Sequence, residues 1–164
     1  MKRLLMMPLL LCALMLGVAP AAAGPPTAAA GAWTYEVDLA GLTSRSAGNT
    51  TFLYATEFST CTGTFAGTSV DEFVVVCHQQ SPDVSRNYVK GTIEFTGDVE
   101  GQTGTMVMKF VGKQTSDTCD PSGAIWSGTW VILQGGGELA DLHGHGTWTG
   151  PSFDLDYAGQ VHFD

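Results

Sequence analysis

Three groups of side chains in this sequence could do chemistry. His143 and His145 flank Gly144. On a strand, residues i and i+2 share a face, so the two imidazoles could meet one metal ion, with Asp141 or Glu138 adding an oxygen. Only two nitrogen donors are visible and a turn lies beside them, so they are read as exposed rim residues with no metal. Glu57, Glu72 and Glu94 form the second group. A carboxylate inside an apolar interior would hold its proton beyond the usual range and could act as an acid or base. Parity places Glu57 and Glu72 opposite the neighbouring aromatics, and all three glutamates are expected at solvated outer positions. The third group is aromatic: Phe52, Tyr54, Phe58, Phe73, Trp126, Trp130 and Trp148. These seven could line a cavity for a small apolar ligand. They could equally fill the interior, since an eight-stranded barrel only just encloses a small ligand. No motif calls for a cofactor.

Such residues need strands to position them. From residue 32 onward, helix-period apolar stripes are nearly absent. Short runs rich in Val, Thr, Phe, Tyr and Trp alternate with Gly, Ser and Asn, which is the pattern of an all-β domain. Trp33, Tyr35 and Val37 open the first strand. Residues 41–49 read as a polar loop. A long strand over 51–65 follows, with Phe52, Tyr54 and Phe58 on the face taken as inward. A turn at 66–69 would return the chain through 70–78, setting Phe58 opposite Cys77 and Cys61 opposite Val74. Further strands cover 88–96, 103–112, 124–133, 145–149 and the C-terminal stretch. The strand at 124–133 is apolar on both faces, which suggests cover on either side. Eight or nine antiparallel strands in a meander avoid bare edges most simply by closing into a barrel. Gly-Thr recurs at irregular spacing, and these strand glycines are read as closure devices.

The first 23 residues read as an export signal. Lys2 and Arg3 precede an apolar run over 4–18, and Ala21-Ala22-Ala23 suits cleavage before Gly24. The run is shorter than the ~20 residues a spanning helix needs, and Pro8 interrupts it. Residues 24–31 would be a flexible leader and 32–164 the barrel domain. Lys2 and Arg3 leave with the signal, so five cations face sixteen acids and the remaining charge is −11. That sign repels phosphate backbones and disfavours nucleic acid as a partner. The mature chain is expected to be secreted, extracellular or periplasmic, with no membrane span.

Cys61, Cys77 and Cys119 remain after cleavage. Following the hairpins, Cys77 and Cys119 reach the same end of the domain, which favours their pairing and leaves Cys61 as a small buried hydrophobe. One bulge would allow Cys61–Cys77 instead.

Several segments together resemble a known family: TCTGTFAGTS (60–69), GTIEFTGDVEGQTGTMVMKF (91–110), SGTWVI (127–132), GELADLHGHGTW (137–148) and LDY (155–157). They are similar to the DUF3224 group of small bacterial proteins, whose fold is like the allene oxide cyclase barrel. The resemblance spans roughly residues 51–163. It implies an eight-stranded antiparallel barrel with a central cavity, and no established activity or catalytic residue. Three functions fit: a barrel binding a small hydrophobic molecule in its interior, a cyclase or isomerase acting on a reactive apolar substrate, or a ligand-free interaction module.

Overall fold

The computed structural model describes residues 24–81, 84–114, 119 and 125–164. The export-signal reading of residues 1–23 lies outside them. Nine strands follow in order: β1 (Thr27–Val37), β2 (Thr43–Ala47), β3 (Thr50–Gly63), β4 (Phe65–Ser81), β5 (Val84–Val99), β6 (Gln102–Gln114), β7 (Ile125–Gly137), β8 (Leu142–Pro151) and β9 (Asp154–Phe163). Every pairing is antiparallel, and β3 to β9 form a meander. The ring closes through β1, which pairs with β9 on one side and β3 on the other. Eight strands therefore make the barrel, and β2 is a short addition to β3.

The strand content follows from composition, but four local details differ from the sequence expectation. The leader is ordered: β1 starts at Thr27, and Ala29 is buried in the wall. Small residues there let β1 lie close against β9. The 41–49 loop contains β2, whose Arg45 sits over the Phe52 ring at 4.7 Å. The β3–β4 hairpin turns at Gly63–Thr64, with Gly63 at φ 88°. Only glycine takes that conformation cheaply. The turn comes earlier than 66–69, so Phe58 pairs with Val70, and Cys77 pairs with Thr51. The change of register is odd in residue number, and an odd change turns every β3 side chain to the other face. Leu53, Ala55, Glu57, Ser59 and Cys61 point inward, whereas Tyr54 and Phe58 are exposed. Finally, β7 is not covered on both sides. Trp126, Trp130 and Ile132 are buried, but Ile125, Val131 and Leu133 are exposed.

The interior is built from large rings laid over glycines. Tyr157, Trp148, Gly128 and Gly112 follow one another across β9, β8, β7 and β6. A Cβ on Gly128 would stand 2.6 Å from the Trp148 ring and 2.0 Å from the Val111 carbonyl. Trp130 covers Gly146 and Gly159 in the same way. One end of the barrel is closed by Phe65, Val99, Leu139, Leu142 and Val161, all buried. The other end carries the β4–β5 tip, the 152–153 turn and the Cys77–Cys119 disulfide. Cys61 is free and buried, as expected of a small hydrophobe.

Gly128→Ala should destabilise the fold by at least roughly 1–3 kcal/mol in denaturant melts. Thr129→Ala, on the outer face, should stay within about 0.5 kcal/mol. Non-reducing peptide maps should join Cys77 to Cys119 with Cys61 alkylated only after unfolding, and Cys77→Ser should cost about 2–4 kcal/mol.

Candidate functional site

The two ends of the interior differ. Toward the closed end, Trp33 stacks on Tyr157 at 4.6 Å, Tyr157 on Phe65 at 4.9 Å, and Trp130 meets Phe65 edge-on at 5.4 Å. The Tyr157 hydroxyl accepts from the Phe65 N–H at 2.8 Å and donates to the Thr62 carbonyl at 3.0 Å. This half is filled. Trp130 is part of that filling and lines no cavity there.

Toward the open end, the ring is incomplete. β1 occupies the edge of β3 only up to the Val37–Glu57 pair, and β2 takes the edge beyond it. β9 begins at Asp154, opposite Thr34. A gap remains between the 38–42 loop, β3 and the Ser152–Phe153 turn. It holds a vestibule of about 190 Å³, lined mainly by Val37, Leu39, Leu42, Leu53, Phe73 and Trp126. Tyr35 forms its inner wall and packs on Phe153 at 5.5 Å. Behind Tyr35 lies a second space of only about 30 Å³, bounded by Glu57, Asp71, Ser59, Trp33, Phe110 and Trp148.

That inner space is floored by acids. Glu57 and Asp71 are cross-strand partners on β3 and β4, and both are buried. The Ser59 hydroxyl donates to Asp71 Oδ2 at 2.8 Å, while Asp71 Oδ1 has no hydrogen-bond partner among the described residues. Burial, and then the neighbouring Asp71 charge, push the Glu57 carboxyl up to about 9. Asp71 is also raised by burial, against hydrogen bonds from Ser69 and Ser59. Two carboxyls this close in a dry site cannot both ionise. Asp71 holds the serine hydroxyls, so the shared proton rests on Glu57. Burial also pushes the Tyr35 hydroxyl and the Cys61 thiol up to about 12 each. The site therefore presents neutral donors and one charge-bearing acceptor to whatever enters.

The sequence-predicted residues divide. Phe73 and Trp126 line the vestibule, and Trp148 lines the inner space. Phe52, Tyr54 and Phe58 do not reach the interior, because β3 faces the other way. Phe58 borders a shallow outer groove of about 580 Å³ floored by Thr34, Thr60, Thr68 and Thr96. Glu57 is corrected from outer to inner, whereas Glu72 and Glu94 are exposed as expected. His143 and His145 are exposed on β8. His143 pairs with Asp164 at 3.0 Å and stacks on His162 at 5.3 Å. No group of three metal-ligating side chains forms among the described residues. Asp71 and Tyr35 had no sequence signal as site residues. The alternation Glu57–Ser59–Cys61 against Ser69–Asp71 carries the site, and it reads as an ordinary wet face.

No family profile and no curated protein matches the chain. Among solved structures, it is similar to a protein of unknown function from the DUF3224 family of Shewanella oneidensis MR-1. The TM-score is 0.62 at 17% identity, over 85% of this chain and 98% of that one. The shared feature is the fold, which bears out the barrel that the sequence segments implied.

The acid pair has a pH signature. In the unfolded chain Glu57 ionises near 4.5, and in the folded chain near 9. The folded state holds the extra proton between those values, so stability is full below the lower one and falls as pH rises toward the upper. Glu57→Gln should remove that slope. The difference in melting temperature, variant minus parent, should grow from about pH 5 to about pH 9. A constant difference would place Glu57 in water.

Proposed function

We propose that this chain is an exported barrel that binds a small, mostly apolar molecule carrying one hydrogen-bonding end. The carrying observation is the junction of an apolar vestibule with a buried polar floor at Tyr35, Glu57 and Asp71. The volume sets the class of ligand. A cavity of about 150 Å³ accommodates benzene, so 190 Å³ suits a single substituted ring or a short chain. The inner 30 Å³ has room for about one or two waters, which could link the ligand's polar end to the acids. Export is supported by the signal-like residues 1–23 and by the Cys77–Cys119 bond, which suits an oxidising compartment. No helix among the described residues is long and apolar enough to cross a membrane.

A cyclase or isomerase reading draws on the same carboxyl pair, since a neutral Glu57 beside Asp71 could donate and accept a proton. It requires a ligand carbon within reach of those oxygens, and the inner space is too small to admit one. Binding is therefore the reading the geometry favours.

The test uses 4-methylphenol and 1,4-dimethylbenzene as probes of near-equal shape, followed by amide chemical-shift changes. The phenol should shift Tyr35, Leu53, Phe73 and Trp126 and bind about tenfold tighter than the dimethylbenzene, the size of one well-made hydrogen bond. Ala55→Leu, which narrows the vestibule, should weaken both while melting near the parent temperature. Shifts confined to the outer groove around Phe58, or none at millimolar probe, would overturn the reading.

A further inference from the structure

The two ends of the barrel carry opposite surfaces. The closed end presents Asp98, Glu100, Glu138, Asp141 and Asp164, and no lysine or arginine among the described residues. Its large apolar residues, Leu139 and Leu142, are buried. The open end is different in both respects.

Every lysine and arginine beyond residue 23 lies on the outer face of β2 to β6. Arg45, Phe52, Val76, Tyr88 and Lys113 form one row across five strands near the open end. At about 4.8 Å per strand, the row runs roughly 19 Å around the wall. Arg86 lies one step nearer the mouth and Lys90 one step further in. Lys109 is deeper still. None of the five cations forms an ion pair with a carboxylate among the described residues. Deeper on this face Lys109 lies diagonal to Glu94, but toward the mouth Arg45, Arg86, Lys90 and Lys113 outnumber its one described carboxylate, Glu72. Among the described residues, the carboxylates nearest the mouth are Glu36, Asp38, Asp154 and Asp156, on the β1–β9 side and away from the row, while Glu72 lies diagonally beside Lys90 on the same outer face.

The same end exposes its apolar residues. Leu39 is 77% exposed and Leu42 38%, both on the vestibule lip. Val84 at the β4–β5 tip and Phe153 are also exposed. Apolar tips beyond a band of cations match the depth profile of an anionic bilayer, with apolar side chains below the headgroups and cations level with them.

We propose that the open end docks on an anionic lipid surface, with Leu39 and Leu42 inserted and Arg45, Arg86, Lys90 and Lys113 over the headgroups. The vestibule then opens toward the acyl region, where apolar molecules partition. The contact needs no ligand in the vestibule, so either proposal can fail without the other.

The experiment is vesicle flotation of the full chain with phosphatidylglycerol–phosphatidylcholine (1:1) and with phosphatidylcholine alone. Residues 1–23 are apolar and common to all variants, so the readout is the ratio between variants. Lys90→Gln/Lys113→Gln should weaken binding to the anionic vesicles about 25-fold, near fivefold per cation. Leu39→Ser/Leu42→Ser should weaken it at least about tenfold. Both pairs are exposed, and unchanged melting temperatures confirm that they fold. Ratios near one for both variants would overturn the proposal. So would retention on heparin with no preference for anionic vesicles, which assigns the cations to an anionic polymer.

Discussion

The constraint beneath this structure is volume. Eight strands enclose barely enough space for side chains, yet this chain puts Trp33, Phe65, Phe95, Trp130, Trp148 and Tyr157 inside. It does so by removing Cβ atoms where these rings lie across neighbouring strands. Trp148 over Gly112 and Gly128, and Trp130 over Gly146 and Gly159, are the clearest cases. Large rings and missing side chains are two halves of one packing solution. The Tyr157 hydroxyl then ties the wall to the β3–β4 hairpin through Thr62 and Phe65.

That packing fixes where the functional space can be. The closed half is occupied by stacked rings, so only the half where β1 gives way to β2 has room. The vestibule is a consequence of that exchange of edge strands. Its floor is polar because the β3–β4 pair closes the wall at this level with Glu57, Ser59, Ser69 and Asp71 facing inward. An apolar lining ends on a protonated carboxyl, and the same opening carries the exposed leucines and the cation row.

Much of this architecture was legible in the sequence. Alternation and composition gave an antiparallel meander of eight or nine strands, and hairpin directions brought Cys77 and Cys119 to one end. Trp126, Trp130 and Trp148 are buried, but the strand at 124–133 carries apolar residues on both faces, so its pattern did not say which face is inward. What failed was β3, for a specific reason. Inward and outward faces are assigned by apolarity, and β3 violates the rule at the site: Glu57 and Ser59 point in, while Tyr54 and Phe58 point out. The one local signal was Gly63, whose left-handed conformation sets the turn and therefore the parity. The Gly-Thr at 67–68 competed with it as a turn signal. Residues 27–31 and β2 were missed because small and polar residues form strands only when a neighbouring edge recruits them.

The account rests on a neutral Glu57 inside the barrel. Its most direct test is a carboxyl ¹³C NMR titration of the folded protein, with Glu57 assigned by comparison with Glu57→Gln. The Glu57 carboxyl resonance should stay at its protonated position through neutral pH and move only as pH approaches about 9. A resonance that titrates near 4.5, like a solvated glutamate, would contradict the inward acid pair and the vestibule chemistry built on it.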